Sequence, residues 1–219
     1  YDDNYLYVGA RMYCADPGRH VRASVSRRDN PGNSERFILT LDTYHDRRTS
    51  YSFGVTATGV RTDYYHPSDA EFSRDHSWDP VWAARTARLA DGWSCEMKIP
   101  FSQLRFRNQD VQTWGINYNR WVPAESEDDF LVYIPKNSTG WASRFPDLTG
   151  LNGIRPKRRL EFLPYAASDA AFDNHTRPGD PFNDGSRTRG RAGADFKMGL
   201  GPNLTFDATV NPDFGQVEA

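Results

Sequence analysis

The stretch WDPVWAARTARLADGWSCEMKIPFSQLRF, residues 78–106, decides the fold of this chain. It predicts a strand over Val81–Leu89, a tight turn at Asp91-Gly92 and a second strand over Trp93–Ile99. Pro100 ends the second strand, because proline cannot donate a hydrogen bond to a ladder. The FSQL that follows is compatible with a single helical or 3₁₀ turn.

Alternation in the second strand separates an apolar face from a polar one. The apolar side chains are Trp93, Cys95, Met97 and Ile99, and the polar ones are Ser94, Glu96 and Lys98. A period of two with one apolar face is typical of a sheet that is buried on one side. The hairpin is therefore predicted to cover a core.

Short alternating segments separated by turn residues flank this hairpin on both sides, and no segment has helical periodicity of useful length. The predicted strands are Tyr5–Cys14, Val21–Ser26, Phe37–Asp42, Ser50–Thr58, Val60–Tyr65, Thr113–Val122 and Phe130–Ile134. This pattern predicts an all-β fold, with a jelly-roll-like antiparallel β-sandwich over residues 1–157. Residues 138–156 carry Gly and Pro and are predicted to be loop.

The pattern changes over residues 158–219, where Leu160–Ala170, Gly190–Gly201 and Leu204–Val210 are predicted strands. The last two alternate apolar with polar or charged residues, and only Gly201-Pro202-Asn203 separates them, whereas the preceding connection, 173–189, is long and polar. Ten-residue alternating strands with unequal loops are typical of an outer-membrane barrel. A soluble antiparallel sheet with one solvated face gives the same alternation. We expect these to be the first strands of an incomplete domain, in a chain that lacks residues at both ends.

The net charge is −2, from 27 basic and 29 acidic residues that are spread along the chain. This balance argues against a nucleic-acid partner. No apolar run reaches the roughly 18 residues of a transmembrane helix. Cys14 and Cys95 fall on apolar strand faces, where they are either buried free thiols or, if their strands are neighbours in an oxidising compartment, a disulfide.

Several stretches resemble known families. YDDNYLYVGARMYCADP, FILTLDTYHDRRTSYSFGVTATGV, residues 78–106 and TWGINYNRW resemble the β-sandwich of the family 9 carbohydrate-binding modules. LTGLNGIRPKRRLEFLPY and GLGPNLTFDATVNPDFGQVEA resemble an uncharacterised bacterial family in which such a sandwich precedes an outer-membrane-type barrel. The resemblance implies glycan binding and a location in the envelope of a Gram-negative-type bacterium. No tryptophan pair here is matched to the two that sandwich a terminal sugar in family 9.

A sugar-binding site needs aromatic rings that stack on pyranose C–H faces and planar side chains that hydrogen-bond hydroxyls. Asn117, Asn119 and Trp121 share one face of a predicted strand and supply both kinds of group. The same row could also be buried polar packing under a loop. Trp78 and Trp141 are further stacking candidates because they lie in predicted loops, whereas the other tryptophans fall on apolar faces and are expected to have structural roles.

Calcium is a weaker prediction, based on the loop from Asp42 to Asp46 with Asp2 and Asp3 as further oxygen ligands. A solvated turn is the alternative for this loop. The acidic run at residues 125–129 is predicted to be a solvated loop. No catalytic residue is assigned, because the histidines lie outside recognisable motifs and no carboxylate spacing pairs with Glu96.

The sequence thus predicts non-catalytic binding of a polysaccharide or glycan at the cell envelope, coupled to an outer-membrane barrel. One alternative is a structural or interaction module that docks an envelope protein without binding sugar. A second is a glycan-processing enzyme whose catalytic residues lie outside this chain.

Overall fold

The structure is a computed structural model of the 219-residue chain. It describes residues 1–14, 21–135, 137–157, 160–172, 186–200 and 204–211. Its regular elements are antiparallel strands and two 3₁₀ turns, Phe101–Gln103 and Ala142–Arg144, so the predicted all-β class is confirmed. The chain divides into two compact units, residues 1–157 and 158–219.

The described strands of the first unit form two sheets. They are β1 (Tyr5–Tyr13), β2 (Arg36–Asp42), β3 (Ser50–Thr56), β4 (Arg61–His66), β5 (Ala83–Leu89), β6 (Gly92–Pro100), β7 (Val111–Val122), β8 (Glu127–Phe130) and β9 (Asp147–Asn152). The smaller sheet has the order β1-β6-β5. The larger has the order β4-β3-β2-β7-β8, and β9 also pairs with β7.

The predicted hairpin is confirmed as β5 and β6, and its turn depends on Gly92. This residue has φ 144°, and a Cβ there would lie 1.9 Å from the backbone oxygen of Met12. Only glycine fits such an approach. The first strand begins at Ala83 instead of Val81, because the Val81 N–H donates to the Oε1 of Gln103, at 3.2 Å, and not to the ladder.

The core lies between the two sheets. Side chains from β2, β3 and β7 face those of β6, and the 3₁₀ turn after Pro100 adds Phe101 to the same cluster. The largest fully buried apolar members are Leu41, Phe53, Trp93, Met97, Ile99, Phe101, Trp114 and Ile154. Burial of a side chain of this size contributes about 1.5–3 kcal/mol. The predicted apolar face of the second hairpin strand is therefore the core face.

Four sequence predictions for the first unit are wrong. Residues 21–26 are not a strand; their contacts include Glu35 N–H to Arg22 O, at 2.8 Å, and Ser24 N–H to Ser34 Oγ, at 2.9 Å. The strand predicted at residues 130–134 lies earlier, as β8, within the acidic run that was expected to be loop. Residues 147–152, also expected to be loop, form β9. Both added strands are short and lack clear alternation, so they are strands because they pair with β7 and not because of a pattern in their own sequence.

The second unit is an antiparallel meander of β10 (Leu160–Phe172), β11 (Ser186–Leu200) and β12 (Leu204–Val210). Phe162 pairs with Phe196, and Phe196 pairs with Ala208, so apolar residues share one face. Much of that face is open: Phe162 is 66% exposed and Phe206 is 47% exposed. On the other face, Lys197 lies 3.7 Å from Asp207.

Candidate functional site

The face of the large sheet that points away from the core is polar and mostly buried. Because Leu39 and Phe53 point into the core, the alternate residues of the paired strands lie on the other face. Its buried polar members are Thr40, Asp42, Ser50, Ser52, Thr56, Thr62, His66, Asn117 and Asn119. A polar sheet face of this kind needs a cover that satisfies its hydrogen-bonding groups.

Two loops form this cover: residues 67–76, and residues 131–135 with 137–146. Trp141 in the second loop is 4% exposed, and its ring centroid lies 5.9 Å from that of His66. The two loops are joined by Asp69, whose Oδ1 accepts the backbone N–H groups of Trp141, at 2.7 Å, and Ser143, at 3.0 Å. Partial burial acts to raise the pKa of Asp69, but these hydrogen bonds leave it below its usual value.

A small hydrogen-bonded network lies under the cover. The His66 Nε2 is 3.2 Å from the Ser52 Oγ, which is 2.9 Å from the Thr40 Oγ1. Burial lowers the pKa of His66 to about 4, so its ring is neutral at neutral pH. The Nδ2 of Asn117 and the Nε1 of Trp141 are also buried, and neither has a hydrogen-bond partner among the described residues.

The same face opens to solvent beside the cover, along the row where Arg36 pairs with Trp121 and Trp121 with Asp128. The guanidinium carbon of Arg36 lies 5.5 Å from the Trp121 ring centroid, and that of Arg74 lies 4.8 Å from Tyr64. We call this surface the outer-face patch. It comprises Arg36, Phe72, Arg74, Trp121 and Asp128, together with the buried side chains of Tyr64 and Asn119.

The outer-face patch combines aromatic rings with planar charged and amide groups. Phe72 is 84% exposed, and its ring centroid lies 5.7 Å from the Arg74 guanidinium. The Asn119 Nδ2 donates to Asp128 Oδ1 at 2.6 Å. Burial lowers the pKa of Arg36 and raises that of Asp128. The negative charge of Asp128 acts to raise the pKa of Arg36, and the positive charge of Arg36 acts to lower that of Asp128, so the pair opposes both burial effects. Rings, guanidinium groups and a carboxylate at one opening can stack on and hydrogen-bond a polyhydroxylated ligand.

The structure separates the five sequence-predicted binding residues. Trp121 and Asn119 lie in the outer-face patch. Asn117 shares their face, as predicted, but is fully buried, and its Oδ1 accepts the backbone N–H of Tyr118, at 3.0 Å, and of Val132, at 3.3 Å. It therefore holds the cover loop in place.

Trp78 and Trp141 are not the accessible loop tryptophans that the sequence predicts. The half-buried Trp78 packs against the core, with its ring centroid 4.8 Å from that of Tyr51. Trp141 is buried against Phe130 and Phe145. Long-range packing draws both rings inward, and a binding role for them stays a prediction.

The predicted calcium ligands act as acceptors for their own loop. Asp42 is fully buried and accepts the backbone N–H groups of Asp46, at 3.1 Å, and Arg47, at 2.9 Å. Asp46 in turn accepts the N–H of Thr49 at 2.7 Å. In the described part of the chain, no three His, Cys, Asp or Glu side chains are grouped to hold a metal ion.

The two cysteines are free thiols, although their strands are adjacent, as a disulfide would require. The partner of Cys95 across β1 is Ala10, which places Cys14 further along the strand, beyond bonding reach. Burial raises the pKa of Cys95 to about 11. This side chain therefore serves the core as a small apolar group.

Sequence reasoning missed Arg36, Phe72, Arg74 and Asp128. Asp128 lies in an acidic run that predicts a solvated loop, while Phe72 and Arg74 lie in an irregular segment with no periodicity. The only available signal was the position of Arg36, which begins a strand on the face shared with Trp121. The other three are brought to the outer-face patch by loop conformation and by the pairing of β8.

Comparisons with known proteins give one family match and a set of solved structures. Residues 156–219 match the model of a family described as "Domain of unknown function (DUF5916)". A carbohydrate-binding module of family 9 from Caldicellulosiruptor kristjanssonii, solved with cellotriose, is 17% identical, with 83% of this chain and 77% of that chain covered and a TM-score of 0.47. The same kind of module from that organism, solved with glucose, is 18% identical, with 72% and 73% covered and a TM-score of 0.46.

No match was found among curated proteins. None of the helices in the residues described above is long and apolar enough to cross a membrane.

Proposed function

We propose that the first unit is a non-catalytic carbohydrate-binding module that binds a polysaccharide or glycan through the outer-face patch. The observation that carries this proposal is the convergence of Trp121, Phe72, Arg36, Arg74 and Asp128 at one opening of a covered polar sheet face. Each kind of group has a role in sugar recognition, and all of them stand on or beside a rigid sheet.

In this proposal the aromatic rings stack on the sugar and the charged side chains hydrogen-bond its hydroxyl groups. Phe72 and Trp121 offer apolar rings to the C–H faces of a pyranose, which are the apolar part of a sugar. Arg36 and Arg74 donate to hydroxyl oxygens in a fixed planar geometry, and Asp128 accepts from hydroxyl groups. Hydrogen bonds to charged groups contribute about 1.5–3 kcal/mol each, so loss of one is measurable.

We further propose that β10, β11 and β12 belong to an outer-membrane barrel in a bacterial cell envelope, with the apolar face toward lipid. The exposed rings of Phe162 and Phe206 and the ion pair between Lys197 and Asp207 on the opposite face support this assignment. Lipid-facing and lumen-facing side chains alternate in this way in membrane barrels. In this proposal, glycan binding by the first unit and membrane insertion through the second unit belong to one envelope protein.

The test of sugar binding is a glycan array screened with the full 219-residue chain, with and without calcium. Titration calorimetry of the best glycan then compares the parent with Trp121→Ala and Arg74→Ala. We expect each substitution to weaken binding by about tenfold or more, which corresponds to roughly 1.4 kcal/mol. Tyr13→Ala is the matched control, because Tyr13 is an aromatic residue of β1 that is 63% exposed and lies outside the outer-face patch.

Loss of affinity in the two patch variants but not in Tyr13→Ala supports the site. Equal affinity in all four proteins contradicts the assignment to the outer-face patch. Binding to no glycan in either condition contradicts carbohydrate binding itself and favours the docking of an envelope protein.

A further inference from the structure

An apolar cleft opens along β1, at the edge of the small sheet. In the described chain β1 pairs only with β6, so its other edge has no neighbouring strand. The inward side chains Leu6, Val8 and Ala10 reach the core cluster but are only partly buried. A strand that packs on the core with one open edge leaves its apolar side chains half covered.

The cleft has a volume of about 910 Å³ and runs between β1 and the large sheet. Leu6, Val8 and Ala10 line one wall, and Leu41, Ile116 and Leu148 line the other. The space is therefore continuous with the core and mostly apolar, although Arg120 and Asp129 also line it. Side chains from one more strand beside β1 would enter it.

Alternate residues of β1 also direct their backbone N–H and C=O groups toward this opening. Asn4 O accepts the Phe101 N–H and the Cys14 N–H donates to Asp91 O, both at 2.8 Å, so even-numbered residues face the β6 side. Odd-numbered residues face the open edge. At its ends, Tyr5 O accepts the Asp2 N–H, at 3.1 Å, and Tyr13 O accepts from Arg120, at 2.7 Å.

Between these ends, the edge-facing backbone groups of Tyr7, Gly9 and Arg11 have no strand partner in the part of the chain that the structure describes. The open edge therefore offers three residues of unused ladder above an apolar cleft. This is the arrangement that strand addition satisfies.

The direction of the chain at Asp2 indicates where the added strand comes from. The Asp2 N–H to Tyr5 O bond closes a two-residue hairpin turn, and Asp2 Oδ1 accepts the N–H groups of Asn4 and Tyr5, both at 2.7 Å. Tyr1 therefore lies opposite Leu6, on the open side of β1. Its hydroxyl donates to Gly150 O at 3.0 Å, which holds it toward the large sheet.

We propose that the cleft receives a fourth strand of the small sheet, antiparallel to β1 and supplied by polypeptide joined to the N-terminal side of Tyr1. The strand pairs with Tyr7, Gly9 and Arg11. Its second, fourth and sixth residues before Tyr1 face Val8, Ala10 and Met12 and point into the cleft. The hairpin turn favours this source over a strand from another protein, because it already directs the chain along the open edge.

The experiment adds Val-Thr-Val-Thr-Val-Thr directly before Tyr1 and compares it with Thr-Val-Thr-Val-Thr-Val. The two extensions have the same composition, but a one-residue slip reverses which side chains enter the cleft. We expect the first extension to raise the Tm by about 5 °C or more and the second to raise it much less. Hydrogen exchange should slow at least about tenfold at the amides of Tyr7, Gly9 and Arg11 with the first extension only.

Gly9→Pro is the matched variant for the backbone contact. A Cβ at Gly9 has no atom within 4 Å, and the Gly9 N–H is not used in pairing with β6, so the unextended chain should keep its fold. In the extended chain the substitution removes one ladder donor and should cancel most of the gain in Tm. Equal gains from both extensions, or unchanged exchange at the three amides, would overturn the proposal. So would equal protection by the free hexapeptide, because attachment to Tyr1 would then be unnecessary.

Discussion

Buried polar side chains join the strands of the first unit to one another. Glu35 is fully buried, and its Oε1 accepts from the indole of Trp93, at 2.7 Å, and from the guanidinium of Arg120, at 2.6 Å. One carboxylate oxygen thereby ties β7 to the core face of β6. Removal of one partner from such a buried pair typically costs about 3–5 kcal/mol, because the other charge is left without compensation.

His66 makes stability depend on pH. Burial lowers its pKa from 6.5 to about 4 in the folded state, so between these values the unfolded state binds more protons. The contribution of the neutral His66 ring to the free energy of unfolding is complete above pH 6.5. It is lost as the pH falls through this window, by an amount on the order of 3 kcal/mol. We expect His66→Gln to flatten the dependence of the unfolding free energy on pH between 7 and 4, as measured by urea titration.

The control for this prediction is His76→Gln, because His76 is exposed and lies on the same loop as part of the cover. It should flatten the pH dependence much less than His66→Gln does, because burial is the main cause of the lowered pKa of His66. An equal flattening in both variants would show that the effect does not come from burial of His66.

At the scale of elements, the two cover loops are the feature that separates a polar sheet face from solvent. Asp69 joins them, and Gly140, with φ 100°, permits the close turn that brings Ser143 to Asp69. A Cβ at Gly140 would lie 2.6 Å from the Ser143 Oγ. Backbone conformation and one carboxylate therefore hold the cover closed.

Asp69→Ala should loosen the cover over Trp141. The substitution leaves two backbone N–H groups without their acceptor, which costs about 1–3 kcal/mol locally. We expect acrylamide to quench tryptophan fluorescence more strongly in this variant than in the parent. Asp75→Ala is the control, because Asp75 accepts only from the nearby Ser77 among the side-chain bonds described. Equal quenching in the parent and Asp69→Ala would contradict the role of Asp69.

At the scale of the whole molecule, the chain has two units with different surfaces. The first has a core with fully buried aromatic residues, whereas the second exposes an apolar sheet face. Three strands with one open face bury too little surface to be stable alone. The first unit is large enough to bury a core of its own.

We therefore expect residues 1–157 to fold when they are produced without residues 158–219. All six tryptophans lie in the first unit, so their fluorescence reports its unfolding alone. The emission spectrum and the urea midpoint should match those of the full chain closely. A non-cooperative transition or a red-shifted native spectrum in the shorter chain would show that the first unit needs the second.

The sequence by itself determined the strands with clear alternation and the faces they present. The β5–β6 hairpin, its Gly92 turn and the opposite faces of Trp114 and Trp121 follow from a period of two and from local turn chemistry. These features depend on residues close together in the chain, so a single sequence contains the information.

Only the tertiary structure decided which polar and aromatic residues are accessible. Trp141 and Phe72 both have polar neighbours in the sequence, yet Trp141 is 4% exposed whereas Phe72 is 84% exposed. Asn117 and Asn119 share one face and are both buried, but Asn117 bonds the cover loop at Val132 whereas Asn119 donates to Asp128 of the outer-face patch. Contacts between distant segments set these differences, and no local pattern in the sequence records them.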